Sequence, residues 1–258
     1  MAQHCKPGCG HLHFSALKNF ARSAAHYKYA SEHGTVTTPA MAVGSAVHAL
    51  VLEHGDSIVR FDGTRRGKKW LAFQDAHANE TILTASEWDQ AAQMAGAVTA
   101  HSRAAELLIG VHELAVEWRL GERACMGRID SIRPDGAIVE LKTAADASPR
   151  GFQRAAEKFG YFAQLAWYID GQRAANPGGP STDDAFIVAV ESKQPYVAQT
   201  FVVTSHAIDL GRRTYRPWLE VLNACEASGV FPGYQESDAI LDVVEDLELQ
   251  IGDELIEV

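Results

Sequence analysis

The chain is short of cysteine and of long apolar runs, and each shortage closes off a class of protein. Four cysteines in 258 residues (Cys5, Cys9, Cys125 and Cys225) are too few for a disulfide scaffold, and no two form a CxxC pair. Cys125 and Cys225 therefore read as small buried hydrophobes. Cys5-x3-Cys9-x-His11-x-His13 offers ligand types that zinc favours, but its spacing matches no common zinc pattern, so a frayed terminus is the first expectation. No apolar run approaches the ~18 residues of a membrane span. The first residues lack the basic-then-apolar layout of a secretory leader, and the expected address is the cytoplasm. Gly63-Thr64-Arg65-Arg66-Gly67-Lys68-Lys69 lacks both the spacing and the hydroxyl of a Walker A loop, and no GxSxG is present. A nucleotide-driven motor and a serine hydrolase are therefore not supported.

Positive charge is missing from one end. Residues 236–258 carry nine acids and neither Lys nor Arg, whereas the whole chain has 23 basic and 33 acidic side chains for a net charge of −10. Net acidity alone speaks against a polyanion ligand, because phosphate binding needs cations to displace counterions. With the tail set aside, residues 1–235 are close to neutral and can carry a local basic groove. The tail alternates its acids with Leu241, Val243, Val244, Leu247, Leu249, Ile251, Leu255 and Ile256, so it is either a docking segment or a disordered one. A chain of this length folded as one domain buries roughly 70–75% of its unfolded surface.

Hydrophobic spacing then sets an order of elements. Ser15 predicts a cap for a helix from Ala16 to about Ala30, and Thr38-Pro39 predicts the start of another that ends near Gly55. A short strand is expected at 57–61, a Gly- and Arg-rich loop at 62–69, and a capping box at Thr84-Ala85-Ser86-Glu87 opening a helix to about Leu108. From there the period changes to strands at 111–119, 123–133, 137–143, 184–191 and 196–204. Helices are expected over 149–171, broken near Gly160, and over 206–227, interrupted at Pro217. The expected class is α/β, with a small mixed sheet flanked by helices. The expected organisation is one domain over 1–235: a flexible 1–13, a helical 14–110 and a catalytic core at 111–235. The acidic tail occupies 236–258.

One hairpin carries the chemistry. Pro134-Asp135-Gly136 is a turn signal between two β-prone runs, Gly127–Arg133 and Ala137–Lys142. If Arg133 pairs with Ala137, Asp130 lies across from Glu140 on one face, with Cβ atoms about 4.5–5.5 Å apart. Two carboxylates at that distance repel, and a divalent cation between them reverses the sign. Hard oxygen ligands suit Mg2+, and Mn2+ can substitute. Lys142 projects from the same face, where it can orient or help deprotonate a water or balance phosphate charge. Gln164 and Tyr168 share one face of the following helix. Glu113 and Glu117, in the preceding strand, are further candidate acids or ordinary solvated positions. Arg60, Arg65, Arg66, Lys68 and Lys69, interleaved with Phe61 and Trp70, form the densest basic cluster and read as a phosphate-tracking loop or as a solvated loop.

The ordered set G-x-x-D (Gly127, Asp130), E-L-K (Glu140, Leu141, Lys142) and Q-x3-Y (Gln164, Tyr168) resembles PD-(D/E)XK nucleases of the RecB-like branch. Ser15-Ala16-Leu17-Lys18, Thr38-Pro39-Ala40-Met41, Gly44-Ser45-Ala46-Val47-His48-Ala49-Leu50 and Asp146-Ala147-Ser148-Pro149 further resemble the exonuclease VIII (RecE-type) nuclease domain and its phage relatives, over about residues 14–234. The resemblance implies a restriction-endonuclease-like core with an added N-terminal helical region. It also implies that His48, Asp130, Glu140 and the Leu141 carbonyl hold one or two Mg2+. By itself, His48 on an apolar helix reads as a core histidine. The implied activity is 5′→3′ degradation of linear duplex DNA, leaving 3′ single strands for recombination, by a ring-like homo-oligomer acting with a single-strand annealing protein. A CRISPR-adaptation-type nuclease of the same fold is a weaker alternative, because Cys225 is the only cysteine after the core. A non-catalytic DNA-binding or assembly module is the other alternative, and it gives no physical reason for opposed acids.

Overall fold

A computed structural model describes residues 9–34, 38–53, 55, 57–239, 248–251 and 254–257. In chain order, these form β1 (Leu12–His13), α1 (Phe14–Leu17), a 3-10 turn (Lys18–Ala21), α2 (Ala24–His33), α3 (Pro39–Leu52), β2 (Ile58–Phe61), α4 (Gly67–Ala76), β3 (Thr81–Thr84), α5 (Ala85–Ala100) and α6 (Ser102–Leu107). There follow β4 (Val111–Leu120), β5 (Arg123–Ile132), β6 (Ile138–Ala144), α7 (Pro149–Phe159), α8 (Tyr161–Ala175), β7 (Ala185–Glu191), β8 (Ala198–Val203) and α9 (Ser205–Ser228). Residues 248–251 (β9) and 254–257 (β10) form a separate antiparallel pair.

The main sheet is mixed, in the order β1-β5-β6-β7-β8, with β4 antiparallel to β5. Strands β6 and β7 run parallel, which requires a crossover, and α7 and α8 supply it. Alternation along β6 and β7 divides the interior in two. Ile138, Ile187 and Ala189 join the core formed with Phe152, Leu165, Trp167, Ile208 and Leu222 of α7, α8 and α9. Val139, Leu141, Val188 and Val190 join the core formed with Val43, Val47, Met94 and Val98 of α3 and α5. A strand buried on both faces has nowhere to place a charge except at a site, and β6 carries Glu140 (1% exposed) in its middle.

Several expected boundaries move, each for a local reason. The helix expected over 16–30 breaks: Asn19 Nδ2 donates to the carbonyls of Ser15 and Ala16, and extended Ser23 restarts the chain by accepting from His26 N. Ser15 is not its cap. The helix expected to reach Leu108 stops at Ala100, because extended His101 caps α6 through Nδ1. Helix α9 runs through Pro217 without interruption. Pro217 and Arg213, whose carbonyl loses its donor, are both exposed, so water can replace the missing bond. Lys68 and Lys69 lie in the first turn of α4 and not in a loop. The expected helical region 14–110 also contains the parallel pair β2–β3. Within the expected flexible start, Leu12 is buried and β1 pairs with Cys125 and Met126 of β5. Residues 240–247, 252–253 and 258 of the acidic tail lie outside the described residues, as does Cys5. Cys9 Sγ sits 3.3 Å from His13 Nε2, and Cys125 and Cys225 are free and buried. Among the described residues, no helix is long and apolar enough to cross a membrane.

Candidate active site

The hairpin folds in the expected register. Arg133 N donates to Ala137 O at 2.9 Å, and Gly136 takes φ +86°, a conformation that glycine enters at little cost. Ser131 pairs with Val139 and Ile132 with Ile138, and there the ladder stops. Beyond it the strands part, and Asp130 Oδ2 accepts a hydrogen bond from Leu141 N at 2.8 Å. The carboxylate thus takes a place that a backbone carbonyl would hold in a longer ladder.

Asp130 has an acidic neighbour on its other flank as well. In the β4–β5 register His112 opposes Ser131 and Leu114 opposes Ile129, which sets Glu113 against Asp130. Glu113 is left out of that ladder and adopts φ +52°. Glu113, Asp130 and Glu140 therefore form one row across three adjacent strands. Helix α3 closes the row: His48 Nδ1 lies 3.5 Å from Asp130 Oδ1 and 3.8 Å from Glu113 Oε1. Gly44, one turn earlier, lets α3 approach the sheet, since a Cβ there would lie 3.3 Å from Thr143 Oγ1.

The charges explain one another. Burial disfavours an imidazolium, yet Asp130 and Glu113 outweigh it and lift His48 to about 10. Burial likewise disfavours ionised Asp130, but His48, Lys142 and the Leu141 amide bring it down to about 2. Glu140 is pushed up to about 7 by burial and by the Asp130 charge, against the pull of Lys142. Lys142 Nζ, 2.5 Å from Glu140 Oε2, is held above its usual range despite burial, by Glu140 and Asp130. A lysine kept protonated can orient water and balance charge. Its ammonium also lies over the Tyr161 ring, 5.3 Å from the centroid.

A cation fits this arrangement. One ligand atom from each of His48, Glu113 and Asp130 falls within a 4.8 Å span. Both Glu113 carboxylate oxygens and Glu140 Oε1 are buried with no hydrogen-bond donor, a costly state for carboxylate oxygens that a divalent ion relieves. Two or three carboxylates with one imidazole make a mostly hard donor set of the kind that Mg2+ and Mn2+ accept.

Helix α8 backs the site. Gln164 Nε2 donates to Tyr168 Oη at 3.1 Å, and burial, then Glu140, keeps the Tyr168 phenol protonated. The Tyr168 ring packs on Gly127, where a Cβ would come within 2.7 Å. The glycine of G-x-x-D is thus a space requirement of the tyrosine in Q-x3-Y. Both residues belong to the hydrogen-bonded and packed wall of the site. Glu117 is not part of the site: its side chain is 61% exposed and meets His11 Nε2 only at 3.8 Å.

The basic cluster divides. Arg60 pairs with Asp62 at 2.6 Å. Arg65 donates to Glu87 of the capping box and to Ile82 O. Arg66, Lys68 and Lys69 are exposed. Sequence reasoning missed Arg128, whose Nε lies 2.7 Å from Glu113 Oε2, and Tyr161. The G-x-x-D spacing counts Arg128 as filler, and only the fold places it beside an acid 15 residues earlier.

A family model described as a PDDEXK-like domain of unknown function (DUF3799) matches residues 13–242. The crystal structure of a "putative exonuclease" from Eubacterium rectale aligns with a TM-score of 0.65 over 92% of this chain and 91% of that one, at 16% identity, a likeness of fold. A phage related exonuclease from Haemophilus somnus 129PT aligns over 79% of this chain and 89% of its own, at 14% identity and a TM-score of 0.36. No curated protein matches the chain.

Proposed function

We propose that this chain, which belongs to the PDDEXK-like domain family, is a Mg2+-dependent exodeoxyribonuclease that hydrolyses linear double-stranded DNA from 5′ ends. The observation that carries the reading is the row Glu113–Asp130–Glu140, closed by His48 and Lys142, in which buried carboxylate oxygens lack donors. Asp130, Glu140, His48 and the Leu141 carbonyl would hold the cation, with Glu113 as an added acid. Bound there, Mg2+ (or Mn2+) supplies charge neutralisation and a more acidic water for in-line attack on phosphorus. Lys142, protonated, orients that water and faces the phosphate. Gln164 and Tyr168 brace the strand that carries Asp130. Arg66, Lys68 and Lys69 contact the DNA backbone. The 3′ single strands left behind suit recombination through a single-strand annealing partner, and a ring-like homo-oligomer would keep the enzyme on its track.

The test uses linear and covalently closed circular duplex DNA with Mg2+ or with EDTA. Linear DNA is expected to disappear only with metal, 5′-terminal label first, while circles survive. Nicked circles would make the protein an endonuclease, and metal-independent or absent loss of linear DNA would overturn the reading.

A further inference from the structure

Glu113 occupies the least comfortable position in the acid row. Its φ of +52° lies in a region that residues with side chains avoid, and its carboxylate faces another of the same sign across the ladder. Neither His112 nor Leu114 is a turn former that would set this conformation locally. The group that holds its carboxylate comes from β5. Arg128, two residues before Asp130, places Nε 2.7 Å from Glu113 Oε2, and its NH1 reaches 3.9 Å from Glu53 Oε1, at the C-terminal end of the helix that carries His48. The other oxygen, Oε1, is the one that faces His48 Nδ1.

We propose that Arg128 is a positioning residue for the cation site. Its charge, 2.7 Å from Oε2, holds the Glu113 carboxylate by ion pairing, so that Oε1 is presented beside His48 and Asp130. Through Glu53 the same guanidinium ties the end of α3 to β5. The inference rests on the metal-dependent nuclease reading, which supplies the cation. Without Arg128, Glu113 Oε2 is left buried with no counter-charge, and repulsion from Asp130 turns the carboxylate away from His48. The cation then loses one oxygen ligand while the hairpin stays intact. Lysine cannot fully replace arginine here, since an ammonium keeps the charge but not the planar fork that reaches two carboxylates.

The experiment is Mn2+ titration of the full chain, read by the electron paramagnetic resonance of free and bound ion, with melting curves beside it. Arg128→Gln is expected to weaken Mn2+ binding about tenfold, as loss of a group that orients a ligand does. Glu113→Gln should weaken it similarly, and the double variant should bind no worse than Glu113→Gln alone, because Arg128 acts through Glu113. Arg128→Lys should recover part of the loss. Unchanged binding in Arg128→Gln, or losses that multiply in the double variant, would overturn the positioning role. If Arg128→Gln fails to fold, Arg128→Lys carries the test: it must weaken binding when Glu113 is intact and have no effect when combined with Glu113→Gln, and an equal effect in both backgrounds refutes it. Wild-type protein that takes up no Mn2+ refutes the nuclease reading itself, an outcome separate from wild-type binding that Arg128→Gln leaves untouched.

Discussion

Helix α8 stands between two charge clusters built on opposite plans. Toward the sheet, Gln164 and Tyr168 face the row of Glu113, Asp130 and Glu140. Two residues past Tyr168, and so on the opposite side of the helix, Asp170 accepts from Tyr215 Oη at 2.6 Å, Arg212 Nε at 3.0 Å and Arg216 NH2 at 3.2 Å. Arg212 also donates to Asp183 at 2.6 Å and to Asp209 at 2.9 Å. This second cluster satisfies itself and fastens α8, α9 and the segment before β7. In the acid row, by contrast, buried oxygens lack donors, a glutamate is pushed toward neutrality and a residue is held in a disfavoured conformation. Equal amounts of charge thus have different meanings: complete pairing holds the fold together, and incomplete pairing marks a place for something else to bind.

The sharpest way to break the contrast is one substitution in each cluster. Glu140→Gln is expected to reduce metal-dependent cleavage by at least about a hundredfold while shifting the metal-free melting temperature by no more than about 3 °C, because the carboxylate it removes is disfavoured when ionised. Arg212→Ala should do the reverse. It leaves Asp170 and Asp183 short of a charged donor and costs about 2–3 kcal/mol of stability, while folded protein still cleaves. Calorimetry beside a cleavage assay separates the two, and full activity in Glu140→Gln would dissolve the distinction.

Proton linkage separates the clusters next. His48 titrates at about 10, above its ordinary 6.5, so its protonated form stabilises the metal-free fold fully below pH 6.5. That contribution is lost as pH rises toward 10. Asp183 is held below its ordinary 3.8, chiefly by the hydrogen bond from Arg212 and against burial. Its contribution is present above that pH and lost only in acid. Metal-free protein should therefore lose melting temperature between pH 6.5 and 10. His48→Gln should remove that slope, and so should added Mg2+, which replaces the imidazolium charge. A slope that survives in His48→Gln would place its origin elsewhere.

The smallest effect concerns the lobe of β2, α4 and β3. Neutralising Arg66, Lys68 or Lys69 should lower the slope of log affinity for DNA against log salt by about 0.9 for each phosphate that is no longer neutralised. Arg65→Ala should instead weaken the lobe, since that guanidinium is engaged by Glu87 and Ile82. Equal salt slopes for all four variants would mean that pairing within the protein does not decide which cations bind.

The legible part of this molecule was the part written in short spacings. Thr38 and Thr84 cap their helices as read, the second with both halves of its capping box, and the three-residue turn sets the strand register that brings Asp130 and Glu140 together. Ser15 failed as a cap because it lies inside α1, whose N-cap position is His13. Strand β2 falls within the expected 57–61, whereas β3 went unread because its four residues run directly into the capping box that opens α5. At the site, Glu113 and Glu117 looked equivalent, two acids at alternate strand positions, and only burial and the positive φ tell them apart.

Sequence alone determined the hairpin, its acids, its lysine and the helix behind them, because turns, caps and alternating strands act over a few residues and need no knowledge of the rest. The fold decided what those groups became. It set Glu113 against Asp130 across a second ladder, brought His48 down from a distant helix, gave Arg128 a partner, and left Arg66, Lys68 and Lys69 exposed where Arg60 and Arg65 are paired. These outcomes depend on which surfaces meet and how much water is excluded when they do. That is a property of packing, and no local run of residues contains it.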